Sequence, residues 1–302
     1  MLLLSLIAIS LSSYIYINRT KYAIKMVENV QRLAAFSKGP TGGNPAGVWL
    51  GEHMPQPAQM QRLAAQIGHS ETVFAVPSKG AWRTRYFAPE KEIAFCGHAT
   101  IALGHALSKH TGKQRFILEL NDATISVAVE RVNGETIVVL QSPQTWADDV
   151  PGDELAAGLE LFGLKSSDLH ETLRPAVGGA GERHLYLPLR DRQKLAAMSY
   201  DFDLGQQLMR HWEWVTVDLF VPEQEQLFHA RVAFAGGGVV EDPATGAAAA
   251  GLAEVLRFQA WPHGGQFQVH QGDDMGMPSR LTVNLSDQAQ SSVSVSGMVR
   301  EL

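Results

Sequence analysis

The sequence predicts an α+β fold of two pseudo-symmetric domains, each a strongly curved mixed β-sheet wrapped around one central α-helix. Three observations lead there. After Met26, short strand-like and helix-like segments alternate. Two long segments, "HATIALGHALSKHTG" and "EDPATGAAAAGLAEVLRF", are apolar on nearly every side, as a helix buried all round must be. Each is reached from an arginine-bearing strand through a Gly/Pro loop and an Ala-Thr pair, Ala99-Thr100 in one case and Ala244-Thr245 in the other. The matching flanks read as an internal duplication, two sheet-wrapped helices meeting face to face. This assigns residues 26–145 to a first domain and 146–289 to a second, with a soft boundary near 141–151. A C-terminal strand at about 290–302 is available to return to the first domain.

The elements follow in order. "VQRLAAFSK" reads as a strand, and "GPTGGNPAGVWL" as a turn running into another. In "QPAQMQRLAAQIG" the apolar residues Met60, Leu63, Ala64 and Ile67 repeat at helical spacing, with Pro57 near the start and Gly68 at the end. "ETVFAVPS" and "WRTRYFAP" are strands, followed by the first buried helix, closed by Gly112. "RFILEL", "TISVAVERV" and "ETIVVLQSP" are strands, the last two joined by Asn133-Gly134, a two-residue hairpin signal. In the second half "DELAAGLELFGL" and "LGQQLMRHW" are helical, while "RHLYLPL", "WVTVDLFV" and "LFHARVAFA" are strands. After the second buried helix come strands "QFQVHQG", "SRLTVNL" and "VSVSGMV".

Composition narrows the chemistry. A chain of 302 residues with 45% hydrophobic and 19% charged residues is ordinary for a globular protein with sizeable cores. A net charge of −6, with no basic stripe, argues against nucleic acid as a partner. The single cysteine, Cys96, rules out an internal disulfide and a cysteine-cluster metal site, and suits a reducing, cytoplasmic setting. Residues 1–25 stand apart as an N-terminal extension. Their apolar run, residues 2–17, is shorter than the ~20 residues of a typical membrane span and lacks a leading positive charge. The reading favoured is a start assigned too early, with Met26 the real beginning. No membrane partner is expected unless residues 2–17 are a real anchor.

Helix N-termini carry unpaired N–H groups and the positive end of the helix dipole. Two of them facing across a cleft would cradle a carboxylate. The plainer reading makes them mere helix starts capped by Asp242 and Thr245. Corresponding loops in both halves favour a site.

Five stretches then occur together: "GGNPAGV" (42–48), "HSETVF" (69–74), "FCGHATIALGHAL" (95–107), "EDPATGAAAAGL" (241–252) and "QGDDMGMPSRL" (271–281). In order and spacing they resemble the PhzF (phenazine-biosynthesis-like) isomerases, which share the diaminopimelate-epimerase fold. The resemblance covers the chain from about Leu33 onward. It implies that Glu71 is the single catalytic glutamate, that His98 contacts and polarises substrate, and that Asp242 binds its amino or hydroxyl group. Backbone amides at Gly97, Thr245 and Gly246 would hold the carboxylate, with Asn44, Ser70 and Ala247 lining the substrate site. A homodimer is expected from the family.

The resemblance also bears on Cys96. Thiol-based epimerases and racemases of this fold place one cysteine at each helix mouth, and here the second mouth has none. Two-thiol catalysis is excluded, and Cys96 reads as a small packing residue behind Gly97. Two departures stand out: Ala247 replaces the family's usual serine, and Met277 its usual arginine, both making the site less polar.

Other chemistries find little support. His98, His105 and His110 are spaced so that they do not converge, so no metal is expected. "GGAGER" (178–183) and "AGGGVVEDPATG" match neither a phosphate loop nor a dinucleotide fingerprint, and no cofactor is expected. Ser70, Ser108 and Ser279 lack a nucleophile-elbow context. The favoured reading is a cofactor-independent isomerase acting on a small cyclic or amino-acid-like carboxylate. The alternatives are a non-catalytic metabolite-binding or interaction member of the same fold, and an amino-acid epimerase or racemase.

Overall fold

The computed structural model describes residues 29–132 and 134–302; the apolar run 2–17, the start at Met26 and Asn133 of the expected hairpin lie outside the described residues. Strands β1 (Val30–Ser37) and β2 (Asn44–Leu50) come first. In α1 (Pro57–Ile67) the buried face is Met60, Leu63, Ala64 and Ile67, and Gly68 closes the helix in a left-handed conformation, φ 71°. Strands β3 (Glu71–Ser78), β4 (Ala81–Phe87) and β5 (Glu92–Ile93) lead into α2 (Gly97–Thr111). They are followed by β6 (Arg115–Glu119), β7 (Thr124–Val132), β8 (Glu135–Gln144) and β9 (Trp146–Asp149).

Next come α3 (Gly152–Leu161), β10 (Ala176–Gly179), β11 (His184–Pro188), α4 (Arg192–Ala196) and α5 (Phe202–His211). Strands β12 (Thr216–Gln224), β13 (Leu227–Ala233) and β14 (Glu241–Asp242) precede α6 (Gly246–Phe258). Strands β15 (Gln266–Gln271), β16 (Ser279–Asn284) and β17 (Ser292–Glu301) complete one 17-stranded sheet. The short strands β5, β9, β10 and β14 were not legible, being too brief to show a two-residue period.

The strand order repeats. β2 and β3 are parallel, β3–β4 and β4–β5 antiparallel; the chain then passes through α2, and β6 returns parallel to β4 before the antiparallel run β6–β7–β8. The same sequence of pairings recurs as β11–β12, β12–β13, β13–β14, then α6, β13–β15 and the run β15–β16–β17. Superposing the registers matches Glu71 with Thr216, Tyr86 with Val232 and Glu92 with Glu241. The preceding arginines match as well: Arg85 forks onto Glu92, and Arg231 onto Glu241. On this register Gly97 corresponds to Gly246 and Cys96 to Thr245, each pair being the first helical residue and its cap.

That corrects the sequence alignment of the halves. Ala99-Thr100 lie inside α2, whereas Ala244-Thr245 precede α6. Hydrogen-bond register, and not dipeptide identity, sets the equivalence. It also places the start of α6 at Gly246, beyond Asp242, which belongs to β14.

Helix α2 packs against β1, β2, β3, β7, β8 and β17, and α6 against β9, β10, β11, β16 and β17. The fully buried Ile101, Leu103 and Leu107 of α2 contribute ~1.5–3 kcal/mol each by leaving water. β17 pairs with β1, β8 and β16. Among the described residues no helix is long and apolar enough to cross a membrane.

Candidate active site

The N-termini of α2 and α6 open onto one cavity of about 460 Å³. Glu71 lines it as the first residue of β3, with the peptide ladder fixing the backbone behind it, whereas Asn44 and Ser70, expected to line the site, stand behind the residues that do. Asn44 is 1% exposed and bridges the two mouths: its Nδ2 donates to Asp242 Oδ1 (2.8 Å) and Ala244 O (3.0 Å) and lies 3.2 Å from His98 Nδ1. With that amide facing Nδ1, the proton of a neutral His98 is assigned to Nε2.

His98 Nε2 lies 3.2 Å from Glu71 Oε2 and 3.4 Å from Ser70 Oγ, the serine being half-buried. Yet Oε2 is buried without a hydrogen-bond partner, so the His98 approach is an electrostatic contact and not an aligned bond. Glu71, only 8% exposed, thus keeps an unspent carboxylate oxygen beside the cavity.

Asp242 is held from both sides. Thr245 Oγ1 donates to its Oδ2 (2.5 Å) and Asn44 to its Oδ1. Burial pushes its carboxyl up to about 6, against the lowering pull of His98 and the Thr245 hydrogen bond, while the charge of Glu71 adds to the rise. Gln271, 1% exposed and missed by sequence reasoning, fixes this loop. Its Nε2 donates to Asp242 O (2.7 Å) and Thr245 Oγ1 (3.0 Å), and its Oε1 accepts the Thr245 N–H (3.1 Å). The expectation that the Thr245 amide holds the carboxylate is therefore corrected: that N–H is taken by Gln271, and the Thr245 hydroxyl is spent on Asp242.

Gly97 and Gly246 remain as amide donors of the first helical turns. A Cβ on Gly97 would meet nothing nearer than Leu140 Cδ2 at 4.0 Å, so a methyl group fits there without displacing a neighbour. One on Gly246 would touch the Phe36 ring at 3.4 Å. Ala247 lines the cavity, whereas Met277 is not among the described residues that do. Met277 instead holds a turn, its N–H donating to Gly272 O (2.9 Å) and its carbonyl accepting from Ser279 Oγ (3.0 Å). Of the two departures, only Ala247 changes the wall.

Cys96 is buried in the main core cluster, but it also lines the cavity, with Sγ 3.3 Å from His98 Nδ1. Burial, reinforced by the charge of Glu71, pushes its thiol well above the ordinary range, so it is protonated at neutral pH. Glu71, Cys96 and His98 each offer one donor atom, all within 4.8 Å of one another, a set geometrically able to hold an ion. The histidine spacing did not reveal it because two of its members are not histidines. The same His98 nitrogens face Asn44 and Ser70, which serves an acid–base cluster equally well.

The family model described as phenazine biosynthesis-like protein (PhzC-PhzF) matches residues 33–299. A trans-2,3-dihydro-3-hydroxyanthranilate isomerase of Pseudomonas aeruginosa is 32% identical over 270 residues, covering 87% of this chain and 93% of its own. An uncharacterized isomerase of Deinococcus radiodurans is 32% identical over 262 residues, covering 84% and 85%. The crystal structure of a Bacillus anthracis PhzF-family protein shares the fold with a TM-score of 0.80 at 24% identity, over 90% of this chain and 96% of that one. The chain belongs to the phenazine biosynthesis-like (PhzC-PhzF) family and is an enzyme of the isomerase class.

Proposed function

We propose that this isomerase moves a proton between two carbons of a small cyclic or amino-acid-like carboxylate, with Glu71 as its single acid/base and no cofactor. The observation that carries the reading is the buried Glu71 carboxylate, whose Oε2 has no hydrogen-bond partner and lies beside His98 on a cavity shared by two helix N-termini. The carboxylate of the substrate binds the amides of Gly97 and Gly246. Asp242 takes an amino or hydroxyl group, and His98 donates from Nε2 to the group that gains electron density. Glu71 removes a proton from one carbon, the double bond shifts, and Glu71 returns the proton to the other carbon. Atoms and electrons balance without an oxidant or reductant. The dihydro-hydroxyanthranilate acted on by the Pseudomonas relative is one member of this substrate class.

Cys96 has no part in the proton transfer, being a neutral thiol whose counterpart at the other mouth is Thr245. We also propose two domains, 26–145 with the returning strand 290–302, and 146–289, each built round its buried helix, and a cytoplasmic homodimer.

The test is to screen dihydro-hydroxyanthranilate-like and related amino acids in heavy water with wild type and Glu71→Gln. Glutamine keeps the shape and removes the titratable proton. Turnover and deuterium wash-in should fall by about 10²–10⁴-fold or more, with binding nearly unchanged. Equal deuterium exchange by the two proteins would remove Glu71 as the base.

A further inference from the structure

The ring of His98 has neighbours of two kinds. Around Nε2 stand groups able to accept a hydrogen bond, Glu71 Oε2 at 3.2 Å and Ser70 Oγ at 3.4 Å. Around Nδ1 stand groups able to donate one, Asn44 Nδ2 at 3.2 Å and Cys96 Sγ at 3.3 Å. A neutral ring with its proton on Nε2 suits both sides, and its Nδ1 lone pair then calls for a donor. His98 and Cys96 are both buried, so that donor has to come from the protein.

Asn44 is the poorer candidate. Its side-chain nitrogen carries two protons and faces three acceptors. The two shorter contacts, to Asp242 Oδ1 (2.8 Å) and Ala244 O (3.0 Å), spend both protons on the second mouth. The thiol remains. It is protonated at neutral pH and so has a hydrogen to give, and Sγ lies closer to Nδ1 than to Nε2, 3.3 against 3.9 Å. The competing acceptor is the Glu71 carboxylate, which has an oxygen within 4.8 Å of Sγ, yet Oε2 is left without a hydrogen-bond partner.

The second mouth repeats the device. Thr245 corresponds to Cys96, and each is the N-cap of its helix. An N-cap threonine ordinarily accepts a hydrogen bond from the first turn of its helix. Neither cap side chain does so here. Thr245 gives its hydroxyl hydrogen to Asp242 Oδ2 instead, and Cys96 sets its thiol against His98.

We propose that Cys96 is a positioning residue, whose S–H donates to His98 Nδ1 and keeps the single proton of the ring on Nε2, where it faces Glu71 and the substrate. The consequence for turnover rests on His98 acting as a donor in the isomerisation proposed above; the hydrogen bond itself does not. No bond to sulfur forms or breaks. A proton on Nδ1 would point at the Asn44 amide and the thiol hydrogen. The Nε2 lone pair would then oppose Glu71 Oε2 and could not stabilise charge gathering on the substrate. A weak donor suffices, because it only has to decide between two nitrogens of one ring.

A packing role asks for volume and a positioning role for a hydrogen, and serine separates them. The chain has one cysteine, so its S–H stretch is a single infrared band. In wild type that band should lie below the free-thiol position. It should rise toward that position in His98→Leu and stay in place in Glu71→Gln. With isotopically labelled histidine, the Nδ1 resonance of His98 should shift in Cys96→Ala toward that of a nitrogen accepting no hydrogen bond, and return in Cys96→Ser. This second measurement decides the matter should His98→Leu not fold. kcat should fall a few-fold in Cys96→Ala with KM unchanged, and recover in Cys96→Ser. A free-thiol band in wild type overturns the proposal, as does a band that follows Glu71→Gln and not His98→Leu. So does a serine variant no better than alanine, in the Nδ1 resonance or in kcat. The spectra need no substrate, so failure of Glu71 as the base would show in deuterium exchange and not in them.

Discussion

The two helix mouths occupy equivalent places in a repeated scaffold but carry different side chains. Cys96, Gly97 and His98 face Glu71 at one; Thr245, Gly246 and Ala247 follow Asp242 at the other. At the first, a thiol, an imidazole and a carboxylate lie within 4.8 Å of one another. At the second, a hydroxyl, a methyl group and a glutamine surround one aspartate whose oxygens are already bonded. The repeated strand order supplies two sources of backbone N–H groups, and on the function proposed here the differing side chains leave reaction to one mouth and holding to the other. A two-thiol enzyme requires matched mouths; this chain has an unmatched pair.

The comparison breaks first at Glu71. Should Glu71→Gln lose less than the 10²–10⁴-fold expected of an acid/base group, the first mouth is not the reactive one.

The next largest effect lies in stability. Val73 in the first half corresponds by register to Asp218 in the second, a buried carboxyl with Oδ1 unpaired. Burial raises its pKa from 3.8 to about 8. Between those pH values the folded protein keeps a proton that the unfolded chain has released, so stability falls as pH rises. Asp218→Asn should remove that slope, gaining on wild type by a few kcal/mol, on the order of the ~1.36 kcal/mol per pH unit of linkage, by pH 8. The gain should vanish near pH 4. Urea midpoints that run parallel across this range would contradict it.

Adding a methyl group sharpens the contrast between mouths. Gly97→Ala adds a methyl group that only reaches ordinary contact with Leu140 Cδ2, beside the amide proposed to hold the carboxylate, so KM should rise about tenfold, the ~1.4 kcal/mol of one weakened amide contact, with the melting temperature unchanged or higher. Gly246→Ala meets Phe36 and should affect stability as much as binding. Identical kinetic penalties with no stability difference would make the mouths equivalent after all.

Cys96→Ala should show the smallest effect on turnover, within a few-fold, and cost about 1–2 kcal/mol in a denaturation curve. A folded variant without turnover would return the thiol to the mechanism.

Much of this was legible beforehand. Met60, Leu63, Ala64 and Ile67 gave α1, and the all-round apolar segments gave α2 and α6, because burial on one side or on every side writes a period into the residues. Glu71, His98 and Asp242 came from motif resemblance and meet at one cavity. Gln271 and the occupied Thr245 N–H were hidden, since a side chain's partner across a sheet leaves no local trace.

Strand β17 has a consequence for the order of assembly. It hydrogen-bonds to β1 and β8 from the first half and to β16 from the second. During synthesis the segment carrying Glu71 and His98 emerges early, but its sheet keeps an open edge until β17 has left the ribosome and closed it. Such long-range closure is slow, and an unpaired strand edge invites association while it lasts. A nascent chain stalled before Ser292 should therefore hold its reactive half unfinished, so that activity and completion of the sheet arrive together.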